Sequence, residues 1–337
     1  MKTLNWGVLG ASFFAVEHMI PALQQTAGLR VHAIASREQA KAEAVAERFG
    51  LPQAYGDYDA LLADPAIDVV FNPLPNHLHV PWTAKAARAG KHVLCEKPIA
   101  LDAAEAAQLI AVRDETGVQI QEAYVVIHHP QWRRVRALVR EGRIGRVRAI
   151  QGWVSYFLDD AGNIRNKREM GGGGLLDIGV YPLLTGRYVF EAEPLRAFAA
   201  VERHPDWGVD VLTSAMLAFP EGGILSFTCG TLMAAHQHMA IHGTEGRIEL
   251  PDPFAQSPAR EASLSILGPR QIWEPLNREV ETLERVNQYV PQAEAFCAAV
   301  RGEAPPFFPL EDSVSMMRAL DALARSGESG RWEEVGA

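Results

Sequence analysis

The stretch Gly90-Lys91-His92-Val93-Leu94-Cys95-Glu96-Lys97-Pro98 closes a short apolar run with a glutamate, a lysine and a proline. In an open α/β sheet, ligands meet the carboxyl ends of the strands. A lysine delivered there and held by a following proline is a candidate for charge or proton chemistry. The plainer reading is a solvated Glu96–Lys97 pair at a strand end. A second set of residues stands near the N-terminus. Gly10, Ser12 and Ala15 fall on the three small-residue positions of a G-x-G-x-x-G/A turn. The first makes a tight turn, the second lets backbone approach a pyrophosphate, and the third allows a helix to sit close to its strand. Ser12 replaces the second glycine; it is small, and its hydroxyl can bond phosphate. Taken alone, this degenerate turn is a weak signal.

The surrounding elements give both sets a frame. Leu4–Leu9 reads as a buried strand running into the turn, and residues 13–25 read as the helix after it, bent by Pro21. Residues 29–36 form a second strand, followed by a helix that Gly50 ends. The end of that strand is where a dinucleotide fold meets the adenosine ribose. An acid there bonds a 2′-hydroxyl, whereas an arginine accommodates a 2′-phosphate. Ser36-Arg37 occupies the position, which favours NADP(H) and leaves NAD(H) possible. The alternative is that Arg37 is a solvated residue opening the helix. A strand over 67–72 leads into Pro73-Leu74-Pro75-Asn76-His77-Leu78-His79, where two prolines impose a loop. Asp102 is an N-cap for the helix through Glu115, and residues 118–124 form another strand. The βαβαβαβ alternation specifies a mostly parallel, doubly wound sheet.

Beyond residue 125 the rhythm changes. A helix over 131–140 precedes a long strand over 146–157, a polar loop, the run Gly171-Gly172-Gly173-Gly174 and a helix over 175–190. Short strands follow at 195–202, 211–219, 224–229, 239–242 and 247–250, with hairpin signals at Pro220–Gly223 and Gly243–Gly246. Helices over 287–300 and 310–325 close the chain. The expected organisation is an α/β Rossmann domain over 1–124 and an α+β domain over 125–337, the latter built on an open, mainly antiparallel sheet.

The chain has 337 residues, 48% hydrophobic and 22% charged, with a net charge of -9. That suits two globular domains. No block of Lys and Arg marks a nucleic-acid footprint. Cys95, Cys229 and Cys297 are odd in number and far apart, which argues for a reducing cytoplasm. Lys2 followed by Leu4–Val16 faintly resembles a signal peptide, but Asn5 interrupts the run and Gly7 and Gly10 belong to the turn. No run is long enough to predict a membrane span. His77/His79, His236/His238 and His128-His129 are the histidine pairs that invite a metal reading. No cysteine or carboxylate accompanies them at ligand spacing, so no metal is expected.

These motifs, in this order, resemble the Gfo/Idh/MocA family of NAD(P)-dependent oxidoreductases. The resemblance is carried by Gly10-Ala11-Ser12…Ala15, Leu74-Pro75-Asn76-His77…His79, Glu96-Lys97-Pro98 and Glu122-Ala123-Tyr124…His129-Pro130-Gln131. Asn163-Ile164-Arg165, Gly172-Gly173-Gly174…Asp177-Ile178-Gly179-Val180-Tyr181 and Asn287-Gln288-Tyr289…Gln292…Phe296 extend it over nearly the whole chain. It is nearest the branch of D-xylose dehydrogenase, glucose–fructose oxidoreductase and dimeric dihydrodiol dehydrogenase. One departure stands out: that branch tends to carry an arginine just before the His-Pro, where this chain has Val126-Ile127-His128.

The resemblance implies a site and an activity. The cofactor would be held by Gly10, Ala11, Ser12, Phe13, Phe14, Ser36, Arg37, Leu74, Pro75, Asn76, His79, Glu96, Lys97, Pro98 and Glu122. Lys97, Tyr181 and Asp177 would be catalytic, and Arg165 would join them at the substrate. Hydride transfer from a carbinol carbon requires removal of the hydroxyl proton by a positioned base. A tyrosine with pKa ~10 is a poor base in water, but a neighbouring lysine cation favours tyrosinate. Asp177 lies four residues before Tyr181, so both are expected to project from one helix face. Pro98 is expected in the cis form. The implied activity is dehydrogenation or reduction at a carbon of a sugar, polyol or related cyclic diol. A non-catalytic dinucleotide sensor, or a hydrolase or lyase with retained cofactor, is the competing class. The open sheet of the second domain implies a homodimer or homotetramer.

Overall fold

A computed structural model of the chain describes residues 2–269 and 277–336. Contacts divide it into two units, residues 1–125 with 287–314 and residues 126–286 with 315–337.

The first unit holds β1 (Leu4–Leu9), α1 (Ile20–Gln25), β2 (Leu29–Ala35), α2 (Gln39–Phe49), β3 (Gln53–Tyr55), α3 (Tyr58–Ala63), β4 (Val69–Asn72), α4 (His79–Arg88), β5 (His92–Cys95), α5 (Ala103–Thr116) and β6 (Ile120–Glu122). The strands form one sheet in the order β3-β2-β1-β4-β5-β6. Every pair is parallel. That explains the near-continuous apolar runs, since crossover helices bury a parallel sheet on both faces. The strand order reverses between β1 and β4, and the crevice at such a switch point opens at the carboxyl ends. Register aligns Val8, Phe71 and Leu94 on one face. That face packs with Leu23 of α1 and with Ala293 and Phe296. The last two lie on a helix over Tyr289–Val300, so this late segment completes the first unit's core. Trp6 meets Phe296 edge to face, with centroids 5.7 Å apart.

The helix expected over 13–25 is two pieces. Residues 15–19 are π-helical, and α1 follows with Pro21 in its first turn. Pro lacks an N–H and crowds the preceding turn; a widened turn ahead of it accommodates both defects.

The second unit holds α6 (Pro130–Arg140), β7 (Val147–Phe157), α7 (Val180–Phe190), β8 (Arg196–Arg203), β9 (Asp210–Ala218), β10 (Ile224–Gly230), β11 (Leu232–Gly243), β12 (Arg247–Leu250), β13 (Ala262–Leu267), β14 (Arg278–Leu283) and, near the C-terminus, β15 (Glu333–Glu334). Of the two remaining helices, α8 is Tyr289–Val300, in the first unit, and α9 (Leu310–Ser329) contains the point where the chain re-enters the second. The sheet runs β14-β13-β12-β11-β7-β10-β9-β8-β15. Only β7–β10 is parallel among its described pairs. α7 packs on β7 and β10, and α6 on β13. Strand burial alternates, with Ala215, Leu217, Leu225 and Phe227 inside and Ser214 and Met216 outside, as a sheet covered on one face requires. The expected mainly antiparallel sheet is therefore observed. β3, β13 and β14 add strands that the local pattern did not announce, and β11 starts seven residues before the expected 239.

Three histidines are taken into these interiors. Burial pushes His79 down to about 4, His128 to about 3 and His129 to about 4. All three are neutral in the folded chain at neutral pH. In the unfolded chain each titrates near 6.5. Below that value the unfolded chain binds more protons, so stability falls as pH drops from about 6.5 towards 4. Thermal unfolding followed from pH 7.5 to 4.5 should show a midpoint that is flat above 7 and declines through this window. A midpoint unchanged down to pH 4.5 would show that these imidazoles are not held neutral.

Candidate active site

The first unit gathers its candidates at the carboxyl ends of β1, β2, β4 and β5. Gly10 turns the chain with φ +87°, a conformation costly for any residue with a Cβ, and its N–H donates to the Ala35 carbonyl (2.8 Å). A Cβ there would also stand 3.1 Å from Leu74 Cδ2. The Ser12 hydroxyl oxygen accepts from the Ala15 N–H (3.2 Å), starting the helical segment while leaving its own proton to give. Phe13 is 77% exposed. Phe14 instead turns inward, its ring against Phe71 and Tyr289, so it shapes the floor of the turn. Ser36 is buried and its hydroxyl accepts from the Glu38 N–H (3.3 Å). Arg37 is exposed, and its charge is felt at the Tyr58 phenol, whose pKa burial raises. No carboxylate ends β2, so the residues here fit a phosphorylated adenosine ribose better than an unmodified one.

The loop after β4 and the loop after β5 are tied together. His79 Nδ1 lies 2.6 Å from the Pro98 carbonyl oxygen, and Nε2 lies 2.6 Å from that of Leu74. A neutral imidazole carries one N–H, so His79 donates to one of these two carbonyls at a time, its tautomer deciding which. Asn72 reaches the His79 carbonyl and the Thr83 hydroxyl from below (3.1 Å each). Pro75 and Asn76 lie on this anchored loop, Asn76 opening a short 3₁₀ turn. The Lys97–Pro98 bond is cis, as the sequence suggested. The Glu96 carboxylate accepts from the Lys97 N–H (3.2 Å). Glu122, fully buried at the end of β6, accepts from the Ile99 N–H (2.9 Å). Lys97 is thus bracketed by backbone that Glu96, Glu122 and His79 each hold.

The second unit gathers its candidates around the start of α7. Residues 175–179 form a π turn, and α7 begins only at Val180. A π turn has more residues per turn than an α-helix, so the four-residue spacing of Asp177 and Tyr181 does not stack them as simply as α-helical periodicity implies. Asp177 is engaged on both oxygens. Oδ1 accepts from Arg165 Nε (3.1 Å), and Oδ2 accepts from the Tyr156 hydroxyl. Burial, and then the Asp177 charge, raise the Tyr156 pKa, so this phenol is a donor throughout the working range. Tyr181 is an electrostatic neighbour of both Tyr156 and Arg165. Its ring stacks on Phe254 at 5.7 Å and 21°. Asn163 caps the turn that carries Arg165, accepting from the Arg165 N–H (3.1 Å).

The glycine run serves packing. Gly172 N–H donates to the Lys167 carbonyl (3.0 Å) and Gly173 N–H to the Arg165 carbonyl (2.9 Å). A Cβ on Gly172 would sit 2.4 Å from the Arg165 carbonyl oxygen, and one on Gly173 2.1 Å from Asp210 Oδ1. The missing side chains let the run lie directly against the Arg165 and Lys167 carbonyls and the Asp210 carboxylate. Tyr156, Phe254 and Asp210 join the second unit's candidates without having stood out in the sequence: they lie on β7, in the loop after β12 and at the start of β9. Register at strand ends was the one available signal, and it needs the sheet to be known. Ile127, at the position where relatives tend to have arginine, is 2% exposed. Among the described residues, no group of three or more His, Cys, Asp or Glu gathers as a metal site.

Comparison with known proteins places this geometry. Residues 4–124 match the oxidoreductase family, NAD-binding Rossmann fold, and residues 132–249 match the GFO/IDH/MocA C-terminal domain. The chain is 44% identical over 335 residues to an uncharacterized oxidoreductase, ORF334, of Rhizobium meliloti, covering 99% of this chain and 100% of that one. It is 35% identical to D-xylose 1-dehydrogenase (NADP(+)) 2 of Haloferax volcanii, covering 98% and 100%. The crystal structure of KijD10, a 3-ketoreductase from Actinomadura kijaniata in complex with NADP and TDP-benzene, superposes with a TM-score of 0.90 at 32% identity, covering 96% and 98%. With a glycine turn at the head of a parallel sheet, Glu96-Lys97-Pro98 at the end of β5 and a C-terminal mixed sheet of which residues up to 249 match the family's C-terminal domain, this chain belongs to the GFO/IDH/MocA family of NAD-binding oxidoreductases.

Proposed function

We propose that the enzyme moves a hydride between NADP(H) and a carbinol or carbonyl carbon of a sugar, polyol or related cyclic diol. The observation that carries this reading is the bracketing of Lys97 at the carboxyl end of β5, on backbone held by Glu96, His79 and Glu122. A lysine needed only for solubility does not require three anchors. Ser36 and Arg37 at the end of β2 support NADP(H) over NAD(H). The D-xylose 1-dehydrogenase (NADP(+)) and the NADP-bound KijD10 among its relatives support the same choice.

On this reading, Gly10, Ala11, Ser12 and Phe13 line the pyrophosphate, with N–H groups and the Ser12 hydroxyl as donors. Leu74, Pro75, Asn76 and Glu122 flank the nicotinamide side, and Phe14 supports the turn from beneath. The nicotinamide, when bound, supplies the hydride acceptor or donor. Lys97 and Tyr181 handle the hydroxyl proton. Asp177, engaged by Arg165 and Tyr156, orients these donors and does not itself take the proton. The same logic disfavours a dinucleotide sensor, which has no use for a Lys–Tyr pair.

The chain forms a homodimer or homotetramer through the second unit's sheet, in the cytoplasm. Support comes from the uncovered sheet face, where Trp153, Phe198, Met216, Thr228 and His238 line a depression of ≈ 740 Å³. The described cysteines are all free and buried, and no described helix is long and apolar enough to cross a membrane.

Three measurements test these statements. Lys97→Ala and Tyr181→Phe should each lower kcat by roughly 10²–10⁴-fold, the range for a lost acid–base group, while NADPH still binds as judged by its fluorescence. Turnover near the wild-type rate in either variant removes that residue from the proton path. Arg37→Ala should raise the KM for NADP⁺ about tenfold, the scale of one charge-assisted contact, and leave that for NAD⁺ alone. Equal effects on both would assign Arg37 a role unrelated to the phosphate. Light scattering should give at least twice the 36.9 kDa chain mass, and Met216→Glu should shift it towards monomer. A wild-type monomer at micromolar concentration would exclude the sheet-face interface.

A further inference from the structure

Asp210 stands outside the proposed proton chemistry, yet its carboxylate is partly buried and bonded within the second unit. Its Oδ2 accepts from the Leu175 N–H at 2.6 Å and from the Thr213 hydroxyl at 3.1 Å. Leu175 is the first residue of the π turn that carries Asp177 and leads into Tyr181. On the other side of the glycine run, the Arg165 and Lys167 carbonyls hold Gly173 and Gly172. The Gly173 carbonyl then accepts from the Asp177 N–H (3.1 Å). The segment 172–177 is therefore clamped at both ends: by the loop that bears Arg165, and by Asp210.

The glycines show how tight the second clamp is. Asp210 Oδ1 stands where a Gly173 Cβ would come within 2.1 Å, whereas a Gly174 Cβ would make ordinary contact with Oδ2 at 3.4 Å. A buried carboxylate is costly unless it is bonded, and a charge-assisted bond to backbone N–H is among the stronger kinds. Burial raises the Asp210 pKa while the Leu175 N–H and the Thr213 hydroxyl pull it down. Four glycines have little intrinsic conformational preference, so nothing in the run itself selects the position of the turn that follows. The selection has to come from an outside acceptor.

We infer that Asp210 is a positioning residue for the reaction: by accepting from the Leu175 N–H it fixes where the π turn begins, and so where Asp177 and Tyr181 stand. This rests on the proposed role of Tyr181. It assigns Asp210 no contact with substrate or cofactor.

The test uses the full-length enzyme with NADP⁺ and a turned-over sugar or polyol. Asp210→Ala removes the acceptor and should lower kcat by about 10²-fold, the scale of a misplacement near 1 Å, with NADPH affinity within twofold of wild type. Asp210→Asn keeps an oxygen acceptor at the same reach and should return kcat to within about fivefold of wild type, the range of a conserved contact with altered charge. Wild-type-like kcat in Asp210→Ala overturns the inference. So does a kcat in Asp210→Asn as low as that of Asp210→Ala. Should Asp210→Ala fail to fold, Asp210→Asn decides alone: near-normal turnover supports an acceptor role, and lost turnover in a folded, NADPH-binding variant overturns it. Tyr181→Phe run in parallel separates the two readings. If it keeps turnover, the proton assignment fails whatever Asp210 does. If it loses turnover while Asp210→Ala keeps it, only the positioning role fails.

Discussion

Glu122 and Asp210 do the same physical work in the two units: each carboxylate, the first buried and the second partly so, accepts a backbone N–H two residues from a candidate site residue. Glu122 accepts from Ile99, two residues after Lys97; Asp210 accepts from Leu175, two residues before Asp177. A hydrogen bond to a charged acceptor contributes about 1.5–3 kcal/mol, and breaking it inside the protein leaves a charge without compensation. The backbone beside the reactive groups is therefore held by a local energy larger than thermal motion supplies. Loops after parallel strands have few backbone partners of their own, because the ladder ends with the strand. An inward-facing carboxylate from a neighbouring strand supplies the missing acceptor, and the chemistry inherits the rigidity of the sheet.

The same constraint shapes how the helical segments begin. Both functional turns, Gly10–Ala15 and Gly171–Leu175, run into a π turn before an α-helix takes over. A π turn costs hydrogen-bond geometry and appears where tertiary contacts outweigh the α preference. At the first, Pro21 and the inward Phe14 impose it; at the second, Asp210 holds the entry point while Thr185 bonds the Tyr181 carbonyl further on (2.9 Å). Each site thus begins on an irregular turn anchored from outside the helix.

That distinction decides what could be read from the residues alone. The parallel sheet and the placement of Lys97 were legible, because apolar runs such as Val69–Asn72 and His92–Cys95 and the glycine turn are local signals. The antiparallel second sheet was legible where Pro220–Gly223 and Gly243–Gly246 punctuate it. β13 and β14 were not, since short strands of mixed pattern are identified by partners, and the destination of α8 is set by Phe296 meeting Trp6. In the site, Asp177 and Tyr181 were named from motif, whereas Tyr156 and Asp210 come from strands whose register no local pattern encodes. The glycine run was visible but its purpose was not legible: open space and close backbone contact call for the same residue, and only the Arg165 and Lys167 carbonyls tell them apart.

Asp177 shows how the contacts narrow a mechanism that motif alone leaves open. A carboxylate beside a reacting hydroxyl is an obvious base. Here one oxygen faces the Arg165 guanidinium and the other the Tyr156 phenol, and both partners favour the ionised form. A carboxylate so stabilised is a weak base, because taking a proton would break or weaken both bonds. What it exports is charge: it keeps Tyr156 protonated and Arg165 in place. That is why the proposed path assigns the acid–base work to Lys97 and Tyr181 and leaves Asp177 to hold its two partners.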